Sequence, residues 1–142
     1  MDSRDNCRAT EIISRKLFLG CAECAEHAGY GANEQGITHL LNVSDSVVVR
    51  PVNGKTESGV ITVMVPIRDD GEDLIFGSDI EETIWSRCQS VLKDVMADPK
   101  SCVLVHCFAG VNRSATIVIA WLMDTRRWSF DQAFSFVKKL RP

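Results

Sequence analysis

No apolar run in this 142-residue chain reaches the length needed to span a bilayer. Met1-Asp2-Ser3-Arg4 starts no secretory signal and offers no myristoylation glycine, and Arg141-Pro142 carries no prenylation box. No membrane partner is therefore expected. Basic charge is not in excess: 16 Lys and Arg stand against 19 Asp and Glu, for a net charge of −3. A nucleic-acid partner is not expected on that balance. Proline is scarce, and neither an internal repeat nor a low-complexity tract is visible. The six cysteines do not read as a disulfide framework, because no signal directs the chain to an oxidising compartment. Cys21-x-x-Cys24 lacks a second pair or a His pair at ligand spacing. A surface or packing role is favoured over zinc, and no metal or cofactor is expected.

What is present suits one soluble globular domain: 45% apolar and 25% charged residues. Residues 1–10 are polar and read as a flexible tail, leaving 11–142 as the domain. Short strands are expected within Ile12–Gly20, Ile37–Val43 and Val60–Val65. Cys21–Gln35 reads as partly helical, broken by Gly29 and Gly31, and Gly36 suits a helix end. Val47–Val49 reads as an extended piece before a turn at Asn53-Gly54. Ile80, Ile84, Cys88, Val91, Leu92, Val95 and Met96 recur at helical spacing, and Asp98-Pro99 stops that helix. Ser129 and Gln132 form a capping box opening a last helix, with Trp128 stapled to Ala133. Phe130, Ala133, Phe134, Val137 and Leu140 share one face of it, read as core packing. This alternation predicts an α/β fold, a largely parallel central sheet flanked by helices.

The most informative stretch is Val105-His-Cys-Phe-Ala-Gly-Val-Asn-Arg-Ser114. Before it, Cys102-Val-Leu-Val105 reads as a buried strand. After it, Ser114 to Met123 is nearly all apolar and reads as a buried helix. A strand, a tight loop and a helix N-terminus make an anion cradle, in which loop N–H groups and the helix dipole converge. The backbone of Phe108, Ala109, Gly110, Val111 and Asn112 would line it, Gly110 letting the chain curl where a side chain would block an anion. A cysteine at its base, Cys107, is favoured as the nucleophilic thiolate. The planar donor fork of Arg113 matches two oxygens of a phosphoryl group. Ser114 can donate to the sulfur, and the ring of His106 can hold the loop.

These residues resemble the His-Cys-x5-Arg-Ser/Thr signature of cysteine-dependent protein phosphatases, and in particular their dual-specificity branch. The resemblance extends to Leu17-Phe-Leu-Gly20, Gly36-Ile-Thr-His-Leu-Leu-Asn-Val43, Pro66-Ile-Arg-Asp69 and the helix from Ser129 to Pro142. It implies a catalytic domain over 11–142 and a phosphoprotein substrate, with phosphotyrosine and phosphoserine/threonine both cleaved through a cysteinyl phosphate. It implies Cys107 as nucleophile, Arg113 as phosphate ligand, Ser114 as sulfur donor, and His106 and Asn42 in supporting roles. Ester cleavage also needs a proton for the leaving oxygen and a base for water, and one carboxyl group can serve for both. The acidic run offers Asp69, Asp70, Glu72 and Asp73. The resemblance favours Asp69, with Asp70 as runner-up.

Family members commonly continue past Arg-Pro with one more helix, so the chain is either without it or part of a longer protein. Asn112 before the Arg is a departure shared with RNA 5′-triphosphatases of the same superfamily, and an RNA 5′-phosphatase or a phosphate-binding pseudophosphatase is the alternative. The loop has no Lys for additional phosphates, and no long phosphotyrosine-recognition loop is present. A nucleophile that must stay reduced points to the cytoplasm or nucleus. Cys102 and Cys88 are the candidates to trap an oxidised Cys107. Oligomeric state is not readable.

Overall fold

The structure, a computed structural model, describes residues 8–31, 33–68, 83–108 and 111–142. Among the described residues, five strands and four helices follow in the order β1 (Thr10–Ile13), β2 (Leu17–Gly20), α1 (Ala22–Tyr30), β3 (His39–Asn42), β4 (Ile61–Met64), α2 (Ile84–Ala97), β5 (Val103–His106), α3 (Asn112–Arg126) and α4 (Phe130–Leu140). The sheet order is β1-β2-β5-β3-β4. Among the named strands of the described residues only β1 runs antiparallel to its neighbour, giving the expected largely parallel α/β architecture.

The central strand is the Val-rich run of the motif, buried along its whole length. Leu17 pairs with Val103 and Gly20 with His106 on one side. His39 pairs with Val103 and Asn42 with His106 on the other. Three parallel strands therefore end abreast at Gly20, His106 and Asn42. Such a carboxyl edge is where open α/β sheets hold ligands.

Each face of the sheet is covered. Leu19, Leu41, Val103 and Val105 pack with Leu92, Ile117 and Leu122 beneath α2, α3 and α4. Phe18, Leu40 and Leu104 pack with Cys24, Ala25 and Ala28 of α1. The ammonium of Lys16 donates to the carbonyls of Val95, Asp98 and Ser101. It thereby closes the C-terminal end of α2, where helix carbonyls lack partners.

Several elements differ from the reading of the sequence. The single strand expected in Ile12–Gly20 is a hairpin, because Arg15 at φ 59 reverses the chain between β1 and β2. Ala9 and Thr10 already belong to the fold: Ala9 is buried and shares two hydrogen bonds with Gln35. Gly29 does not break α1. A Cβ there would stand 2.7 Å from Val49 Cγ1, so this glycine admits the Val47–Val49 excursion against the helix. Asn53 and Gly54, at φ 56 and 79, make the tight turn between Val52 and Lys55. The capping boxes at Thr83/Ser86 and Ser129/Gln132 are both formed, the first not anticipated.

The largest departure is on α4. Ala133 and Val137 are buried as expected, but Phe130 is 55% exposed, Phe134 42% and Leu140 43%. The two phenyl rings stack on each other at 5.6 Å and line a groove of about 810 Å³ with Trp85, Ile119 and Met123. The helical pattern marks the apolar face correctly, but of its five residues only Ala133 and Val137 are buried. Trp128 packs edge-on to Phe136 at 5.1 Å.

Candidate active site

β5 delivers Cys107 to the carboxyl edge of the sheet, and α3 begins five residues later with Asn112 and Arg113 in its first turn. Cys107 is fully buried, its Sγ 3.5 Å from Ser114 Oγ. Ser114 Oγ is also 3.1 Å from the carbonyl of Val111. A hydroxyl has one proton to give. With a thiol at Cys107 that proton goes to Val111, and with a thiolate it can turn to sulfur. Val111 is half-buried and Phe108 is exposed. Ala109 and Gly110, expected to complete the cradle, lie outside the described residues.

Arg113 lies across the front of this edge. Its Nη1 donates to the carbonyl of Ile67 at 2.9 Å and to Asp45 Oδ1 at 3.2 Å. Ile67 lies in the segment leading to the acidic run. Asp69 and Asp70, with Glu72 and Asp73, lie outside the described residues.

Asp45 was not picked out from the sequence. It is held by Asn42, whose Oδ1 accepts from both the backbone N–H and the hydroxyl of Ser44, and whose Nδ2 donates to Ser46 O. Asn42 was expected to bond near the catalytic loop. Its side chain instead folds the turn that carries the carboxylate facing Arg113, while the neighbouring Val43 N–H reaches His106 O at 2.9 Å. The Asn-x-Ser turn pattern after a strand was the available signal.

His106 points to the opposite face from Cys107, as strand alternation requires. Its Nδ1 is 3.3 Å from Cys107 O. Burial pushes its pKa down from 6.5 to about 4, opposed in part by that hydrogen bond. The ring is therefore neutral at physiological pH. Among the described residues, no group of three or more His, Cys, Asp and Glu is placed to hold a metal ion. No helix among them is long and apolar enough to cross a membrane.

The other thiols fall into place around this edge. Cys102 belongs to the core on the α1 side, whereas Cys107 belongs to the other. The extended β5 separates them by roughly 16 Å at about 3.3 Å per residue. That is far beyond the reach of about 7 Å for a disulfide. Cys88 shares the Cys107 core, but burial pushes its thiol up to about 12. Cys102 is a packing residue by this geometry, and burial of Cys88 disfavours the thiolate that trapping an oxidised Cys107 would need.

The chain is similar to known proteins over most of its length. The family described as "Dual specificity phosphatase, catalytic domain" matches residues 17–142. A putative tyrosine phosphatase 123R of invertebrate iridescent virus 6 is 34% identical over 116 residues, 82% of this chain and 76% of that protein. Human dual specificity protein phosphatase 2 is 36% identical over 126 residues. That alignment takes in 88% of this chain but only 36% of the human protein, so the chain spans about a third of this longer relative. Among solved structures, that of human DUSP28 is similar with a TM-score of 0.66 and 29% identity. The match covers 94% of this chain and 81% of that one.

Proposed function

Since the chain belongs to the dual specificity phosphatase family, we propose that it hydrolyses phosphotyrosine and phosphoserine/threonine in proteins through a cysteinyl-phosphate intermediate. One observation carries the reading: the Cys107 sulfur, 3.5 Å from Ser114 Oγ, sits where the buried central strand gives way to the helix that bears Arg113.

In the first step the Cys107 thiolate attacks phosphorus. The S–P bond forms as the P–O bond to the leaving group breaks, and Asp69 protonates the departing oxygen. In the second, water attacks phosphorus while the Asp69 carboxylate takes its proton. The sulfur leaves as thiolate, eased by the Ser114 hydroxyl. Loop N–H groups of residues 108–112 and the Arg113 fork hold the equatorial oxygens in both steps. Asp45 and the Ile67 carbonyl keep that fork at the edge of the site until a dianionic phosphate competes for it. His106, neutral and buried, supports the loop. Thiolate chemistry of this kind requires no metal, and it suits a reducing compartment such as the cytoplasm or nucleus.

The loop segment Phe108-Ala109-Gly110-Val111 carries no Lys for the additional phosphates of a phosphoinositide, and its sequence together with an aspartate in the acidic run favours phosphoprotein over RNA 5′-phosphate. The test is a side-by-side assay of phosphotyrosine and phosphoserine/threonine peptides and a 5′-triphosphorylated RNA. Both peptide classes should be turned over in the presence of EDTA, and Cys107→Ser should abolish turnover while still binding oxyanions. Asp69→Asn should lower kcat by about 10²–10⁴-fold on poor leaving groups and less on an activated aryl phosphate. Appreciable hydrolysis by Cys107→Ser sinks the mechanism, and turnover of RNA alone sinks the substrate class.

A further inference from the structure

Cys21 and Cys24 take no part in the chemistry above. The chain leaves β2 at Gly20, turns at Cys21, the N-cap, and enters α1 with Cys24 as its third residue. One helical turn sets the two side chains together, with Sγ atoms 3.7 Å apart and both sulfurs in the reduced form. Cys21 is partly exposed, whereas Cys24 is buried against the backbone of Gly20. Between them, the N–H of Ala22 donates to the carbonyl of Phe108 at 3.4 Å, and Phe108 directly follows Cys107. Gly20 itself is in register with His106. The pair thus flanks a backbone hydrogen bond that ties the start of α1 to the start of the 107–113 loop. Two thiols fall short of the four ligands of a structural zinc site, and no third ligand accompanies them among the described residues.

We infer that Cys21 and Cys24 form a thiol–disulfide exchange site whose oxidation loosens anion binding by the adjoining 107–113 loop. The effect on the loop rests on the phosphatase reading; the exchange chemistry does not. The co-reactant is a small-molecule disulfide such as oxidised glutathione. Cys21, the accessible partner, attacks one of its sulfurs as the thiolate. A mixed disulfide forms, the glutathione S–S bond breaks, and the first glutathione leaves and takes up a proton. Cys24 then gives its proton to solvent and attacks Cys21 Sγ, closing the protein disulfide and expelling the second glutathione thiol. Two protein thiols are oxidised and one external disulfide is reduced to two thiols. Burial raises the Cys24 thiol pKa, so this second step gains speed as pH rises. Closure draws the sulfurs from 3.7 Å to about 2.05 Å. That movement falls on the turn holding the Ala22 N–H.

The test uses the full chain carrying Cys107→Ser, which removes the catalytic thiol from the redox chemistry. The protein is equilibrated with oxidised and reduced glutathione, its disulfides are mapped by mass spectrometry, and inorganic phosphate binding is measured by calorimetry. A Cys21–Cys24 disulfide should form, and phosphate affinity should fall by about fivefold or more, returning after reduction. Cys21→Ser, and separately Cys24→Ala, in the same background should abolish both effects. Thiols that stay open to alkylation, a disulfide mapped to another pair, or an unchanged affinity in the oxidised protein would each overturn the inference. Should the reduced protein bind no phosphate, the reading of the loop fails and the coupling with it, while the mapped disulfide still decides the exchange chemistry.

Discussion

His106 is a basic ring enclosed beside the site, and its neutrality has a thermodynamic consequence. Its pKa falls from 6.5 to about 4 on burial. The unfolded chain therefore takes up a proton between those values that the folded one refuses. Stability contributed by the neutral ring is complete above pH 6.5 and is lost as pH falls toward 4. The loss amounts to about 3 kcal/mol, at about 1.4 kcal/mol per pKa unit. Denaturant titrations at pH 7, 6 and 5 on the wild type and His106→Gln should show a steeper decline for the wild type; parallel curves would place His106 in a solvated setting. At this scale the sequence was legible wherever chemistry dictates residue type. His106, Cys107, Arg113 and Ser114 stand in a spacing that suits the strand–loop–helix geometry. Asp45 was not legible, because an exposed carboxylate in a turn carries no mark of which guanidinium it will meet. Only the fold brings residues 45 and 113 together.

Elements were legible where a period was long and uninterrupted. The buried β5, the amphipathic α2 from Ile84 onward and the capped α4 follow from pattern alone, while Ile80, counted with α2 in the sequence, lies outside the described residues. The hairpin of β1 and β2 did not, because its reversal at Ser14-Arg15 uses no turn-forming glycine or proline. Gly29 was misjudged for a related reason: propensity speaks of the helix by itself, whereas this position is decided by its neighbour. Replacing a glycine inside a helix by alanine ordinarily gains up to about 1 kcal/mol, and less at Gly29, next to last in α1. Here the new methyl group would stand 2.7 Å from Val49 Cγ1 and 3.3 Å from Thr56 Cγ2. Val49 is buried and β-branched, hence slow to give way. Overpacking of this kind costs about 1–3 kcal/mol. The clash therefore wins, and Gly29→Ala should lower the melting temperature. A rise would mean that the Val47–Val49 excursion yields freely. The exposed phenylalanines of α4 teach the same lesson: periodicity names the apolar face of a helix and leaves open what lies against it.

For the whole molecule the order of strands matters more than their number. β5 separates β2 from β3, so the first four strands form two pairs with a gap between them until the chain has reached Val103. A fragment of residues 1–101 should therefore show no cooperative thermal transition by circular dichroism, despite holding four of the five strands. A sharp melt from that fragment would mean that β2 and β3 can close on each other. The same topology bears on how chains of this architecture can vary in length. Gly20, His106 and Asn42 stand on one datum line across three strands. One residue added inside any of them would slide its loop by about 3.3 Å and turn its core-facing side chains to the wrong face. Insertions and deletions should therefore be tolerated only outside these paired strands. The loops above that line can thus diverge in size and chemistry from one homologue to the next while the sulfur stays at the same height.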